Sequence, residues 1–310
     1  MWRKWSVCLL ALSLGLGITA KSLAGGPTFT TIDFPGAVFT LAVDINNSGQ
    51  IVGEHFNSLG IRHGFLLSNG TFTTFDFPGA SSTLAVGIND QGDIVGDYFL
   101  QGSGSSNVHG YLLRGGVFTS ISFPNADATI AQGINKNGDI VGWYVDPKGT
   151  HGFLLRGGAF SSIDFPGADA FTQVWRINDA GEVAGRYEGQ GGGSIYHVFT
   201  LSNGSFSSVP DFPGAVQVAP GNFNEVGGLN DVGDIVSTYC TSNPCTGFGS
   251  TLATGQGQEH GFLLSGGAFT TIDFPGALST EPLGVNRGGN IVGFYTDTSL
   301  IRAHGFLRTP

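Results

Sequence analysis

The residues of this 310-residue chain best placed to do polar chemistry are those that break a repeating phrase. Six times a run of the type Ile-Val-Gly-x-Tyr recurs, and its variable position reads Glu54, Asp97, Trp143, Arg186, Thr238 and Phe294. The residue after it is Tyr in five copies and His55 in the first. A second run ends in Ile-Asn or Leu-Asn, preceded by Gly87, Gly133, Gly228 and Gly284 in four copies, by Asp44 in the first and by Trp175-Arg176 in the fourth. Glu54 and Asp97 form a carboxylate pair of the kind that does acid–base work on sugars. Trp175 offers a stacking platform, and Arg176, Arg186 and Glu225 add charge around it. These residues are expected to form the mouth of a site for a polar ligand; the competing reading is ordinary surface and interblade variation.

Other signals are weaker. Histidines at equivalent positions (His63, His109, His151, His197, His260, His304) suggest a metal ring, but sixfold placement separates them too far to share an ion. They read instead as interblade hydrogen-bonding groups. Asn-Asp-x-Gly-Asp resembles part of a calcium loop, yet its acidic positions become Lys136, Arg287 and Gln50, and the twelve-residue ligand spacing is missing. Asn69-Gly70-Thr71 and Asn203-Gly204-Ser205 match glycosylation sequons, but each is needed as a hairpin turn. No nucleophile elbow, zinc-protease helix, phosphate loop or zinc cysteine pattern occurs. Neither a cofactor nor a metal is expected.

These residues sit on repeated elements. A Phe-Pro phrase recurs at Pro35, Pro78, Pro124, Pro166, Pro213 and Pro275, so successive copies are 43, 46, 42, 47 and 62 residues apart. Such a period, built of short apolar runs, marks a blade-by-blade repeat. Each copy holds four strand-length runs, here named B, C, D and A. Asn-x-x-Gly turns join B to C, Asn-Gly or Gly-Gly turns join D to A, and Pro-Gly leads on to the next copy. The pattern opens with an orphan A run at Phe29–Phe34 and closes with B, C and D of the last copy. The expected fold is therefore all-β: a six-bladed propeller of four-stranded antiparallel blades, closed by the N-terminal strand completing the last blade. An open β-solenoid would leave that orphan strand unexplained.

Residues 1–24 read as a secretory signal: Arg3 and Lys4, an apolar run from Val7 to Ala20, then Ser22-Leu23-Ala24 before Gly25. Residues 25–310 are expected to be one propeller domain, secreted to the extracellular space or periplasm. The formal charge of −10 falls to −13 once Arg3, Lys4 and Lys21 are removed. So acidic a chain is expected to avoid nucleic acid and anionic membranes, and no later run is long enough to insert in a bilayer. A monomer is expected. Cys240 and Cys245, in Cys-Thr-Ser-Asn-Pro-Cys, are expected to form a disulfide that fixes a local loop.

His-Gly-Phe recurs at His63, His151, His260 and His304, with variants at His109 and His197. Beside this strand pattern, the chain resembles the HAF-repeat family of probable extracellular bacterial repeat proteins. The resemblance spans essentially all of residues 25–310. It implies an extracellular role and a propeller-like fold, and it carries no catalytic residues. Length varies mainly on one face of the expected ring, in 101–108, 188–195, 216–228 and 240–259. Functional loops belong on one end of a rigid scaffold. The leading expectation is a secreted, non-catalytic recognition module binding a glycan or protein there, centred on blades 4 and 5. The rivals are a polysaccharide lyase or hydrolase using Glu54, His55 and Asp97, and a structural envelope or matrix protein.

Overall fold

The computed structural model describes residues 25–100, 108–168, 170–189, 196–215, 226–241, 245–246, 257–297 and 302–310. Residues 1–24, read above as a secretory signal, lie outside them. The described residues form six antiparallel sheets and no helix. Blade 1 is β2 (Phe39–Ile45), β3 (Ile51–Phe56), β4 (Arg62–Ser68) and β5 (Thr71–Phe75). Blade 2 is β6 (Ala80–Ile88), β7 (Ile94–Leu100), β8 (Val108–Arg114) and β9 (Val117–Ile121). Blade 3 is β10 (Ala128–Ile134), β11 (Ile140–Asp146), β12 (Gly149–Arg156) and β13 (Ala159–Ile163). Blade 4 is β14 (Thr172–Ile177), β15 (Val183–Glu188), β16 (Tyr196–Ser202) and β17 (Ser205–Ser208). Blade 5 is β18 (Val226–Leu229), β19 (Ile235–Cys240), β21 (Gly257–Ser265) and β22 (Ala268–Ile272), with β20 (Cys245–Thr246) parallel to the start of β21. Blade 6 is β23 (Ser279–Val285), β24 (Ile291–Thr296) and β25 (Ala303–Thr309), completed by β1 (Thr28–Ile32). The β1 register runs from Thr28 opposite Thr309 to Ile32 opposite Gly305. The six-bladed ring closed by its N-terminal strand is thus the fold.

The turns follow their residues. Asn69 and Gly70 both take positive φ, as a two-residue hairpin turn requires. Gly36, after Pro35, sits at φ 80°, and Ala37 N–H donates to the Phe34 carbonyl at 3.1 Å, closing a type II turn.

Two sets of contacts hold blade to blade. The Asn that opens each B–C turn accepts local N–H groups through Oδ1; Asn46 takes those of Ser48 and Gln50 at 3.1 and 2.9 Å. Its Nδ2 donates to the matching carbonyl of the next blade. The relay runs Asn46, Asn89, Asn135, Asn178, Asn230, Asn286 and back to Asn46, at 3.0 to 3.4 Å. Farther out, the Phe before Pro-Gly lies flat on the tyrosine of the following blade, or on His55 in the first; Phe77 stacks on Tyr98 at 3.6 Å and Phe274 on Tyr295 at 3.7 Å. Such ring pairs add about 0.5–1.5 kcal/mol beyond their buried area. The core lies between blades: Ile32 and Val292 of blade 6 pack with Ala42, Ile45, Ile51 and Phe65 of blade 1.

The histidines correct one expectation. Their carboxylate partners stand within the same blade, across the D–A pair: His63 to Asp76, His151 to Asp164, His260 to Asp273 and His304 to Asp33, at 2.8 to 2.9 Å. The reason is register. His opens strand D, and the aspartate follows strand A directly beside it. Interblade bonding is done by the asparagines and stacked rings instead.

Candidate functional site

Strand B of every blade lines the channel, and every strand B bulges at the same place. The register to strand C slips at 42/44, 85/87, 131/133, 174/176, 226/228 and 282/284. A bulge leaves one residue unpaired and re-aims its side chain. The extra residues are Val43, Val86, Gln132, Trp175, Gly227 and Leu283, and all but Gly227 line a central cavity of about 280 Å³.

One residue beyond the bulge, neighbouring backbones touch. A Cβ on Gly87 would press on the Gln132 carbonyl and the Gly133 Cα, one on Gly133 on Arg176 Cα, and one on Gly284 on Asp44 Cα. Glycine is required at such close approaches. The two exceptions fill the space the glycines leave. Arg176, buried in the channel, donates Nη1 to the Gln132 and Trp175 carbonyls at 3.2 and 3.1 Å and Nη2 to the Leu283 carbonyl of blade 6 at 3.0 Å. It thereby divides the channel. The larger cavity lies on the loop side, and a smaller one of about 70 Å³ on the turn side includes Asp44 and the asparagine relay. Asp44 accepts the Ile45 and Ile88 N–H groups, both at 2.9 Å. Burial raises its carboxyl, against the pull of Arg176 and of these two amides.

The large cavity gathers part of the predicted set: Glu54, Asp97, Trp175 and Arg176, with Arg62 at its edge and Leu41, Leu84 and Val226 among its apolar walls. Glu54 on β3 and Asp97 on β7 are 7% and 5% exposed. Asp97 Oδ1 accepts the Ala131 N–H of blade 3 at 2.9 Å. Burial pushes Glu54 up to about 7, with Arg62, 3.8 Å away, opposing. Burial also raises Asp97 well above the carboxylate range; the Ala131 amide opposes this and the nearby Glu54 adds to it. Among the described residues, Glu54 Oε2, Gln132 Oε1 and Trp175 Nε1 are buried and make no hydrogen bond within the protein. Three blades thus carry polar atoms without hydrogen bonds on residues that line one cavity, an uncommon state for a native interior.

The remaining predicted residues lie elsewhere. His55 faces away from Glu54, as strand alternation demands. It is stacked on Phe34 at 3.7 Å, with Nε2 3.2 Å from Thr74 Oγ1, in the place where other blades put a tyrosine hydroxyl. Burial and the neighbouring His63 lower it to about 4, against Asp76. Arg186 donates to Gln173 Oε1 at 2.8 Å and lies over the rings of Tyr196, Trp175 and Phe171. It braces the tryptophan from outside the cavity. Glu225 and the side chain of Cys245 lie outside the described residues; Cys240 is buried at the end of β19. Gln132, Leu283, Val43, Val86 and Arg62 escaped the sequence reading. The signal for the first four was the residue just before each ring glycine, which reads Val, Val, Gln, Trp, Gly, Leu.

Among the described residues no group of His, Cys, Asp or Glu is placed to hold a metal ion, and no helix is long and apolar enough to cross a membrane.

No family model matches the chain, and no curated protein does. Solved structures do. AofleA from Arthrobotrys oligospora is 11% identical, with a TM-score of 0.54, over 91% of this chain and 87% of that one. A mutant of the Aleuria aurantia lectin, in complex with Fucα1-6GlcNAc, is 10% identical with a TM-score of 0.50, over 85% and 91%. TolB from Acinetobacter baumannii is 15% identical with a TM-score of 0.52 over 75% of this chain, which spans about half (53%) of that one. At these identities the likeness is one of fold: a repeat protein of the β-propeller class.

Proposed function

We propose that this chain is an exported recognition module that binds a glycan, without catalysis, in the loop-side cavity of its channel. The observation that carries this reading is the trio Glu54 Oε2, Gln132 Oε1 and Trp175 Nε1, buried on residues that line one cavity and making no hydrogen bond within the protein, with Arg62 paired to Glu54 at 3.8 Å. A ligand with closely spaced donors and acceptors on an otherwise apolar ring meets all three, and a sugar residue is such a ligand. Burying polar groups without partners costs about 1–3 kcal/mol each, so a bound sugar recovers energy the empty fold forgoes. The Aleuria aurantia lectin, of the same fold, is found with a sugar bound, which supports the reading by analogy only.

One observation favours a second reading. A carboxyl poised near 7 beside another carboxyl suits a general acid, so Glu54 and Asp97 are the residues of a lyase or hydrolase if the protein is one. A single experiment separates the two. The purified protein is passed over immobilised polysaccharides, scoring retention and released sugar together. Retention without release is the expected result; release replaces the module by an enzyme; neither, across a broad panel, refutes the glycan reading.

A further inference from the structure

The blades are joined alike except at one seam. In blades 2 to 6 the phenylalanine of the incoming link lies on a tyrosine at 3.6 to 3.8 Å, and a histidine ring stands beyond the tyrosine at 5.2 to 5.5 Å. In blade 1 the middle ring is His55, with Phe34 at 3.7 Å and His63 at 5.2 Å.

That seam is also where the ring closes. Phe34 lies two residues beyond β1, the strand that completes blade 6 by pairing with β25. Beside Phe34, Asp33 accepts a hydrogen bond from His304 Nδ1 of β25 at 2.9 Å, and Thr31 Oγ1 lies 3.0 Å from the Tyr295 hydroxyl. The one middle ring that takes up a proton in mild acid therefore holds the segment that closes the propeller.

His55 is only 7% exposed, and its surroundings suit the neutral ring. Facing it are Phe34 from the link, Thr40 across the register on β2, His63 from β4 and Thr74 from β5, whose Oγ1 is 3.2 Å from Nε2. The carboxylate that favours its protonation, Asp76, is already bonded to His63 at 2.9 Å. Burial and the charge of His63 hold His55 down at about 4, against an ordinary 6.5. A cation can sit over a phenyl ring, but that attraction is smaller than the cost of dehydrating the imidazolium. For the ring to reach water while blade 1 stays folded, Phe34 has to leave it, and Phe34 carries the end of β1 with it.

We propose that the seam between blades 6 and 1 is an acid-operated latch: protonation of His55 frees Phe34, β1 peels from β25, and the ring opens while the other five junctions stay closed. Opening bares the edge of β25, a template for another strand. Neighbouring groups act in the opposite direction. A charged His304 is drawn more strongly to Asp33, and Glu54, which faces away from His55 on the same strand, favours the folded state in acid.

The test is hydrogen–deuterium exchange of the purified protein between pH 7.5 and 5, read by mass spectrometry on peptides from β1 and β25 and corrected for the intrinsic exchange rate at each pH. Below 6.5 the open population at the seam is expected to rise up to about tenfold per pH unit, because the open state takes up the proton that the closed state refuses. Peptides from β7, β11 and β15 are expected to keep their protection. His55→Tyr installs the residue of the other five blades and is expected to make protection of the seam independent of pH. His55→Phe, which needs no partner at Thr74, is expected to do the same. Seam protection in the parent that stays constant from pH 7.5 to 5 overturns the latch without recourse to a variant. So does a loss of protection that persists in either variant, or one shared by every blade.

Discussion

Replacing Glu54 by Gln isolates one buried charge and should make the protein more stable above neutrality. In the folded chain the carboxyl is held up to about 7 by burial, against an ordinary value of 4.5. The sign follows: an acid raised on folding contributes stability that is full below 4.5 and disappears as pH rises through about 7. At 1.36 kcal/mol for each pH unit, the span between those values is worth about 3 kcal/mol. Gln keeps the shape and cannot ionise, so the variant should match the parent near pH 4.5 and exceed it by about 3 kcal/mol at pH 8. At about 2.1 cal/mol/K of unfolding entropy per residue, that corresponds to roughly 5 °C in Tm. Calorimetry of both proteins from pH 4.5 to 8 measures it. Subtracting the curves removes His55, whose depressed value gives the opposite trend: stability present above 6.5 and lost as pH falls through about 4. A flat difference curve, or a variant less stable than the parent at pH 8, would show that Glu54 is satisfied as an anion and refute the reasoning.

Further outcomes follow from the same geometry. Arg176→Met should cost about 3–5 kcal/mol, because it leaves Asp44 buried without its cation and three carbonyls without a donor. Adding Asp44→Asn should recover part of that loss, and a denaturation double-mutant cycle without coupling would contradict the contact across the channel. Gly96→Ala should misfold or lose several kcal/mol in chemical denaturation, since its Cβ would overlap the Leu84 carbonyl oxygen. Deleting residues 25–34 removes β1 and exposes the edge of β25, so light scattering should report association that the parent lacks. A thiol assay on the unfolded mature chain should find no free cysteine before reduction and two after it; two beforehand would contradict the Cys240–Cys245 disulfide.

The ring was legible because its determinants are local and repeated. Asn-x-x-Gly, Asn-Gly and Pro-Gly each fix a turn, and the orphan run at Phe29–Phe34 had one place to go. The cavity was less legible, because a bulge is a tertiary event. Reading strand B as strict alternation assigns Gln132 and Leu283 no special direction; only the slip against strand C turns them into the channel. His55 shows the converse. It stood out by type, yet its ring and Nε2 reproduce the stacking and hydrogen bond of the tyrosine it replaces. A residue that breaks a repeat is a candidate for the binding site only when it also breaks the contact its counterparts make.

By that criterion the asymmetry of the channel has a direction. Sixfold repetition alone would place identical side chains at every bulge and leave a symmetric bore, with nothing to orient a ligand. Here blades 1 and 2 contribute the two carboxyls, while blades 3 and 4 contribute Gln132, Trp175 and Arg176. Blade 6 contributes Leu283, and blade 5 has only Gly227 at its bulge. The polar side chains are therefore concentrated on four consecutive blades, and on the fifth Gly227 packs directly against the Pro282 carbonyl of blade 6. The sequence of greatest extra length, 216–225 and 247–256, precedes β18 and β21 in the chain. Replacing Val86, which lines the cavity, with Phe should fill that space and abolish retention on the immobilised sugars, at a cost of about 1–3 kcal/mol in stability from overpacking; undiminished retention would place binding elsewhere.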